Sequence, residues 1–217
     1  MISKNLMVID PSISVPEIES FNKIAILSPL KTTYHLPAIH SSKSLNTKIE
    51  NISGVILMGS AASIHDSYEW IKNIQNLLTK AIIQKVPILG ICFGHQLIAH
   101  MFGGKVNYLW DQVQKKGVRK VQIHENNLLI PATENFLIYS HKEGVTKCPV
   151  EFNISASSEM VAIEGMVHKN HPIWTFQTHI EASKIFAKKT GITSKLFKKT
   201  ESYGKAILKS FFKKIKF

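Results

Sequence analysis

The sequence predicts an α/β fold built on a central, mostly parallel sheet with helices on both faces. Three observations carry that prediction. Two fully apolar runs, "GVILMG" (54–59) and "VPILGIC" (86–92), suit strands buried on both faces of a parallel sheet. Between them, "DSYEWIKNIQNLLTKAIIQK" (66–85) repeats Trp70, Ile74, Leu77, Leu78, Ala81 and Ile82 at helical spacing, as an amphipathic helix does. A second helical pattern, "HQLIAHMF" (95–102), follows the second strand at once, and strand–helix–strand–helix order implies right-handed crossovers.

The remaining elements fall into two groups. Upstream, "LMVID" (6–10) and "KIAILSP" (23–29) read as short β-branched strands. Downstream, "VRKVQIH", "FLIYSH", "VEFNISAS", "MVAIEGMVH" and "IWTFQTH" are strand-rich with few helical stretches, which predicts a mixed edge or an antiparallel flap. The tail "TESYGKAILKSFFKKIKF" places Ile207, Leu208, Phe211, Phe212 and Ile215 on one helical face. A packed closing helix with solvated lysines is the simplest reading. The preceding "KIFAKKTGITSKLFKK" is the better place for an added electrostatic role. No internal repeat is present, and 217 residues suit one domain, 1–217, with a Lys-rich helical segment over 184–217.

Charge and composition exclude several classes. The net charge is +12, but residues 184–217 hold eleven Lys against the single acid Glu201, so the body is close to neutral. Arg119 is the sole arginine, which argues against sequence-specific nucleic-acid reading, where bidentate Arg dominates. No apolar run approaches the ~20 residues of a membrane span, and the N-terminus carries no signal-type pattern. A cytoplasmic protein is expected. Two cysteines, Cys92 and Cys148, give no C-x-x-C pair and hence no disulfide framework or thiolate zinc site. His168 and His171 in "HKNH" are better read as a loop pair than as metal ligands. No metal is expected.

The chemistry concentrates at "GICFG" (90–94), a G-x-C-x-G pattern that joins a strand to a helix through a nucleophile elbow. Cys92 sits at the apex in a strained conformation, above the sheet. Gly90 and Gly94 remove Cβ atoms that would clash, and the helix N-terminus behind Cys92 favours negative charge there. The Phe93 N–H then points where an oxyanion would form. A cysteine nucleophile needs a base, and the base needs an orienting group. "TFQTHIEAS" supplies both: His179 and Glu181 are two apart at a strand end, on one face. Read blandly, they are loop residues before a helix and Cys92 is a core cysteine, but both clusters together favour chemistry.

With these residues in hand, the chain resembles the class I, triad-type glutamine amidotransferases over about 54–183, with GMP-synthase-like amidotransferase domains as the nearest flavour. "GVILMGSAASIHDSYEW" is similar to the family's G-x-I-L-S-G-G-P-x-S-V-Y-D segment, and "PILGICFGHQLIAHMFGGKV" to its nucleophile segment. "YSHKEGV" resembles S-H-G-D-x-V, and "QTHIEAS" stands where the family has Q-F-H-P-E-A-S. The resemblance implies a flavodoxin-like fold and a Cys92–His179–Glu181 triad that hydrolyses the side-chain amide of glutamine through a γ-glutamyl thioester. It further implies oxyanion donors at the backbone of Phe93, Gly59 and Ser60, and substrate contacts from Gln96, Ser140 and His141, with no cofactor.

Departures from the family pattern are confined to two turns. Ser60 and Ala61 replace a glycine and a proline, so a strained oxyanion turn is expected. Thr178 and Ile180 replace an aromatic and a proline beside His179, loosening that loop. No P-loop, G-x-G-x-x-G or S-G-G-V-D-S motif is present to activate an acceptor, so ammonia would pass to a partner synthase. Two other readings stay open: a γ-glutamyl hydrolase or peptidase of the same fold, and a catalytically weak binding or regulatory subunit.

Overall fold

A computed structural model describes residues 4–215. The first strand, β1 (Asn5–Ile9), leads into helix α1 (Ile18–Leu27) and strand β2 (Thr32–His35). Strand β3 (Ile52–Leu57), helix α2 (Glu69–Ile83), strand β4 (Ile88–Ile91) and helix α3 (Phe93–Met101) follow. The strand-rich half comprises β5 (Lys105–Tyr108), β6 (Lys115–Ile123), β7 (Thr133–His141), β8 (Glu143–Lys147), β9 (Phe152–Ser157), β10 (Gly165–His168) and β11 (Ile173–Phe176). Helices α4 (Lys184–Lys189) and α5 (Ser194–Phe212) close the described chain.

Nine strands form one sheet in the order β2-β1-β3-β4-β11-β10-β9-β6-β7. The five strands from β2 to β11 run parallel, and the neighbours from β11 through to β7 are antiparallel. The expected antiparallel flap is therefore continuous with the parallel sheet. A separate two-stranded pair, β5–β8, lies beside it.

Alternation along each central strand builds two cores. Met7, Ile9, Val55 and Leu57 pack with Ile74, Leu77, Leu78 and Ala81 of α2 and with Leu97 and Ile98 of α3. Leu6, Val8, Ile56, Leu89 and Ile91 face the other way, onto Ile24 of α1 and Ile207, Leu208, Phe211 and Phe212 of α5. All five apolar residues expected on the tail helix face are buried. The lysines of α5 are its solvated side.

Two local readings are corrected. "KIAILSP" is the second half of α1 and not a strand: Ile24 is fully buried while Ile26 is 83% exposed, the pattern of one helical stripe. Parallel β1 and β2 require a crossover between them, and that requirement overrides the β-branched composition. Strand β2, "TTYH", lacks any apolar run because it is an edge strand, half-buried throughout.

Candidate functional site

Strand β4 ends at Ile91, and Cys92 caps α3 with φ 51° and ψ −99°, values that a non-glycine residue adopts only under constraint. Its amide donates to the Phe176 carbonyl at 2.8 Å, and its carbonyl accepts from Gln96 N–H at 3.0 Å. The flanking glycines are required by space. A Cβ on Gly90 would lie 2.7 Å from Ile98 Cδ1 and 2.8 Å from the Gly94 backbone, and one on Gly94 would strike the Leu57 carbonyl. Helix α3 begins at Phe93, two residues earlier than its apolar pattern indicates, so the N–H groups of its first turn lack helical acceptors.

Strand β11 delivers Gln177, Thr178 and His179 just beyond its end. The His179 amide donates to Ile138 O of β7 at 2.8 Å, and Nδ1 pairs with Glu181 Oε1 at 2.8 Å. Both side chains are buried. Burial alone would depress the imidazole. The Glu181 carboxylate and the Cys92 sulfur outweigh it and raise His179 well above the ordinary histidine range. Gly59 packs against both partners: a Cβ there would sit 2.7 Å from His179 Cε1 and 3.4 Å from Cys92 Cβ.

Two cavities meet at this point. The smaller, about 120 Å³, is lined by Cys92, Gln96, Ser140, His141 and Glu143 together with Ser60. The larger, about 370 Å³, is lined by His179, Glu181, Gly59 and residues of the loop 12–17. Ser60, Ala61, Gln114 and Ser140 border both. Every site residue singled out from the sequence except Phe93 thus lines one of the two, and Phe93 begins the helix at their junction.

A buried polar lattice shapes the smaller cavity. Gln96 Nε2 donates to Glu143 O at 2.8 Å and to Gln177 Oε1 at 3.2 Å, while Gln177 Nε2 approaches Cys92 Sγ at 3.6 Å. Glu143 is 4% exposed; its Oε2 accepts from Ser63 Oγ at 3.0 Å and its Oε1 has no partner among the described residues. Arg119 pairs with buried Glu164 and donates to His141 Nε2 at 2.9 Å. Because a guanidinium only donates, His141 carries its proton on Nδ1, which donates to Glu143 O at 2.8 Å. Burial, reinforced by the Arg119 charge, pushes His141 down to about 3, and burial pushes His95 to about 3 as well. His95 is a packed residue bonded to Thr175 Oγ1 at 2.8 Å.

Sequence reasoning missed Arg119, Glu143, Gln177 and Phe186 as parts of this site. Phe186 of α4 lies over the His179 ring with centroids 4.5 Å apart, and Lys189 reaches Glu17 at 3.0 Å across the larger cavity. Only the lone status of Arg119 and the closeness of Gln177 to the His179 motif were signals. The expected strain at Ser60 is not found. Neither Gly59 nor Ser60 has a positive φ, and the Ser60 hydroxyl braces the turn. At "HKNH", His168 Nδ1 accepts the amides of Asn170 and His171 at 2.9 and 3.0 Å, so His168 stabilises a turn. Among the described residues no cluster of three His, Cys, Asp or Glu could hold a metal, and no helix is long and apolar enough to cross a membrane.

The sequence model of the glutamine amidotransferase class-I family matches residues 19–199. The chain is 34% identical over 166 residues to the amidotransferase-type subunit of the glutamine-hydrolysing GMP synthase of Methanocaldococcus jannaschii, covering 76% of this chain and 74% of that one. It is 32% identical over 167 residues to the corresponding GMP synthase subunit of Methanopyrus kandleri, covering 76% of each. A solved glutamine amido transferase from Methylobacillus flagellatus superposes with a TM-score of 0.80 at 17% identity, over 100% of this chain and 96% of that one, a likeness of fold.

Proposed function

The chain belongs to the class-I glutamine amidotransferases, and from that premise we propose that it hydrolyses glutamine and hands the ammonia to a separate synthase. The observation that carries the reading is the convergence, on one elbow, of Cys92, the His179–Glu181 pair and the pocket of Gln96 and Glu143. Cys92 Sγ attacks the side-chain carbonyl carbon of glutamine. The oxyanion is held by the Phe93 amide and the Gly59–Ser60 turn. Protonated His179 gives its proton to the departing nitrogen, which leaves as ammonia, and a γ-glutamyl thioester remains. Water then loses a proton to His179, attacks the thioester and releases glutamate and the Cys92 thiol.

The lattice around the smaller cavity supports an amino-acid substrate. The unpartnered Glu143 Oε1 suits the α-ammonium of glutamine, since a buried carboxylate oxygen gains most from a charged donor. Neutral His141 forms part of the wall, with both ring nitrogens already engaged. The partner is inferred from the relatives' names, which make each of them one subunit of a glutamine-hydrolysing GMP synthase. The full length of the chain, 1–217, is read as one amidotransferase domain whose Lys-rich end is structural in α5. The test is glutamate release from glutamine by the purified protein, by itself and with a GMP synthase subunit that lacks its own amidotransferase. Activity that emerges or rises with that subunit supports the assignment; none in either condition defeats it.

A further inference from the structure

The His179–Glu181 segment lies beyond the end of β11, where no strand ladder holds it. Its own turn bonds are local: Ile180 N–H to Thr178 O at 3.2 Å and Ala182 N–H to His179 O at 3.3 Å. One backbone bond, from the His179 amide to Ile138 O, ties it to the sheet. The carbonyls of Ile180 and Ala182, on either side of Glu181, are both on buried residues, and no backbone N–H among the described residues donates to either. A side chain from another element serves them. Lys23 of α1 reaches across 157 positions of sequence to donate from Nζ to Ile180 O at 3.2 Å and to Ala182 O at 3.0 Å. On the opposite side, Gly204 of α5 packs so closely that a Cβ there would strike the Ile180 carbonyl.

We propose that Lys23 is a positioning residue for the His179–Glu181 pair, clamping the two carbonyls that bracket Glu181 against the wedge formed by α5. The inference rests on the triad role given to that pair above. A carboxylate orients an imidazole only if its own backbone is held, and the segment has few other long-range polar ties. The clamp also carries charge. Lys23 faces Glu181 of the loop and Glu201 and Lys205 of α5. Burial lowers its ammonium to about 8, the two carboxylates opposing that fall and Lys205 adding to it. The clamp therefore bears most of its charge at neutral pH and becomes a neutral amine as the pH rises past that value.

The experiment is K23M beside K23R in the full chain, read by glutamine kinetics from pH 6 to 9.5 and by low-field proton NMR of the His179 Nδ1–H shared with Glu181. K23M is expected to lose roughly tenfold in kcat with KM for glutamine within about twofold, because the pocket of Gln96 and Glu143 is built from other elements. K23R, which keeps a charged donor, is expected to recover most of the rate and to hold it above pH 8. The low-field resonance should be sharp in wild type and K23R and broadened or displaced in K23M. Wild-type kcat and an unchanged resonance in K23M would overturn the proposal. So would equal losses in kcat and in affinity, with a lowered melting temperature, shared by K23R. The resonance is read without turnover, so the clamp is tested even if glutamine proves not to be the substrate.

Discussion

The hydroxyl of Ser60 donates to the carbonyl of Pro11 at 2.7 Å, tying the turn after β3 to the loop after β1. The same oxygen accepts the Ala62 amide at 3.1 Å. Since the Ser60 backbone lies outside the left-handed region, glycine at this position relieves nothing and removes two bonds. Ser60→Gly is expected to lower the basal glutaminase rate constant severalfold and stability by about 1–2 kcal/mol. A hundredfold rise in rate would instead show that serine distorts the oxyanion turn.

Cys92→Ala is expected to abolish glutaminase activity and leave the melting temperature nearly unchanged. The glutamine analogue 6-diazo-5-oxo-norleucine should label Cys92 and spare Cys148, whose thiol burial pushes up and whose polar contact is Phe152 O at 3.8 Å. Peptide mass spectrometry reads the site of the adduct, and label on Cys148 would contradict the assignment. His179→Ala should cost nearly as much rate as the cysteine change, because members of a triad act as a unit. Glu181→Gln should be milder.

Stability should fall in mild acid. His95 and His141 are held neutral in the fold to about 3, against an ordinary value of 6.5. Between these values the unfolded chain binds protons that the native state refuses, so stability rises with pH across that window and is lost as pH falls from 6.5 towards 3. His179, raised in the fold, acts in the opposite sense: its contribution is complete below 6.5 and disappears as pH climbs through its elevated folded value. Urea denaturation at about pH 7 and about pH 4.5 measures the acid side. The loss should shrink in His95→Gln, and an equal loss in that variant would remove His95 from the explanation.

Phe186→Ala should uncover one face of the His179 ring and admit water to the larger cavity. The expected result is a lower kcat and a downward displacement of the pH–rate limb due to His179, because water screens the Glu181 and Cys92 charges that raise it. An unmoved limb would show that α4 merely borders the site.

Deleting the chain from Thr200 onward removes Ile207, Leu208, Phe211 and Phe212, all buried against Leu6, Val8 and Trp174. At ~1.5–3 kcal/mol for each large apolar side chain, the loss rivals the ~5–15 kcal/mol that holds a whole domain together. The truncated chain should be aggregated or unfolded by circular dichroism. A folded product with an unchanged melting temperature would show that α5 is an accessory.

Features whose causes lie within a few residues of one another were legible in the chain alone. Glycine at 90 and 94 around a cysteine, between an apolar strand and an apolar-striped helix, leaves the backbone one compact way to turn, and Cys92 is found at its apex. His179 and Glu181 come together because they are two apart. The closing helix was readable because its buried face repeats at ~3.6 residues. Contacts between residues with no local pattern in common needed the assembled fold: Arg119 on His141, Phe186 over His179, Ser60 on Pro11 and Lys23 on the carbonyls around Glu181. A lone arginine or a lysine inside a helix carries no periodicity that names its partner. Those partners are set by which elements the sheet order brings together, and the β-branched composition of 23–29 misled for the same reason, since only the parallel pairing of β1 and β2 demands a helix there.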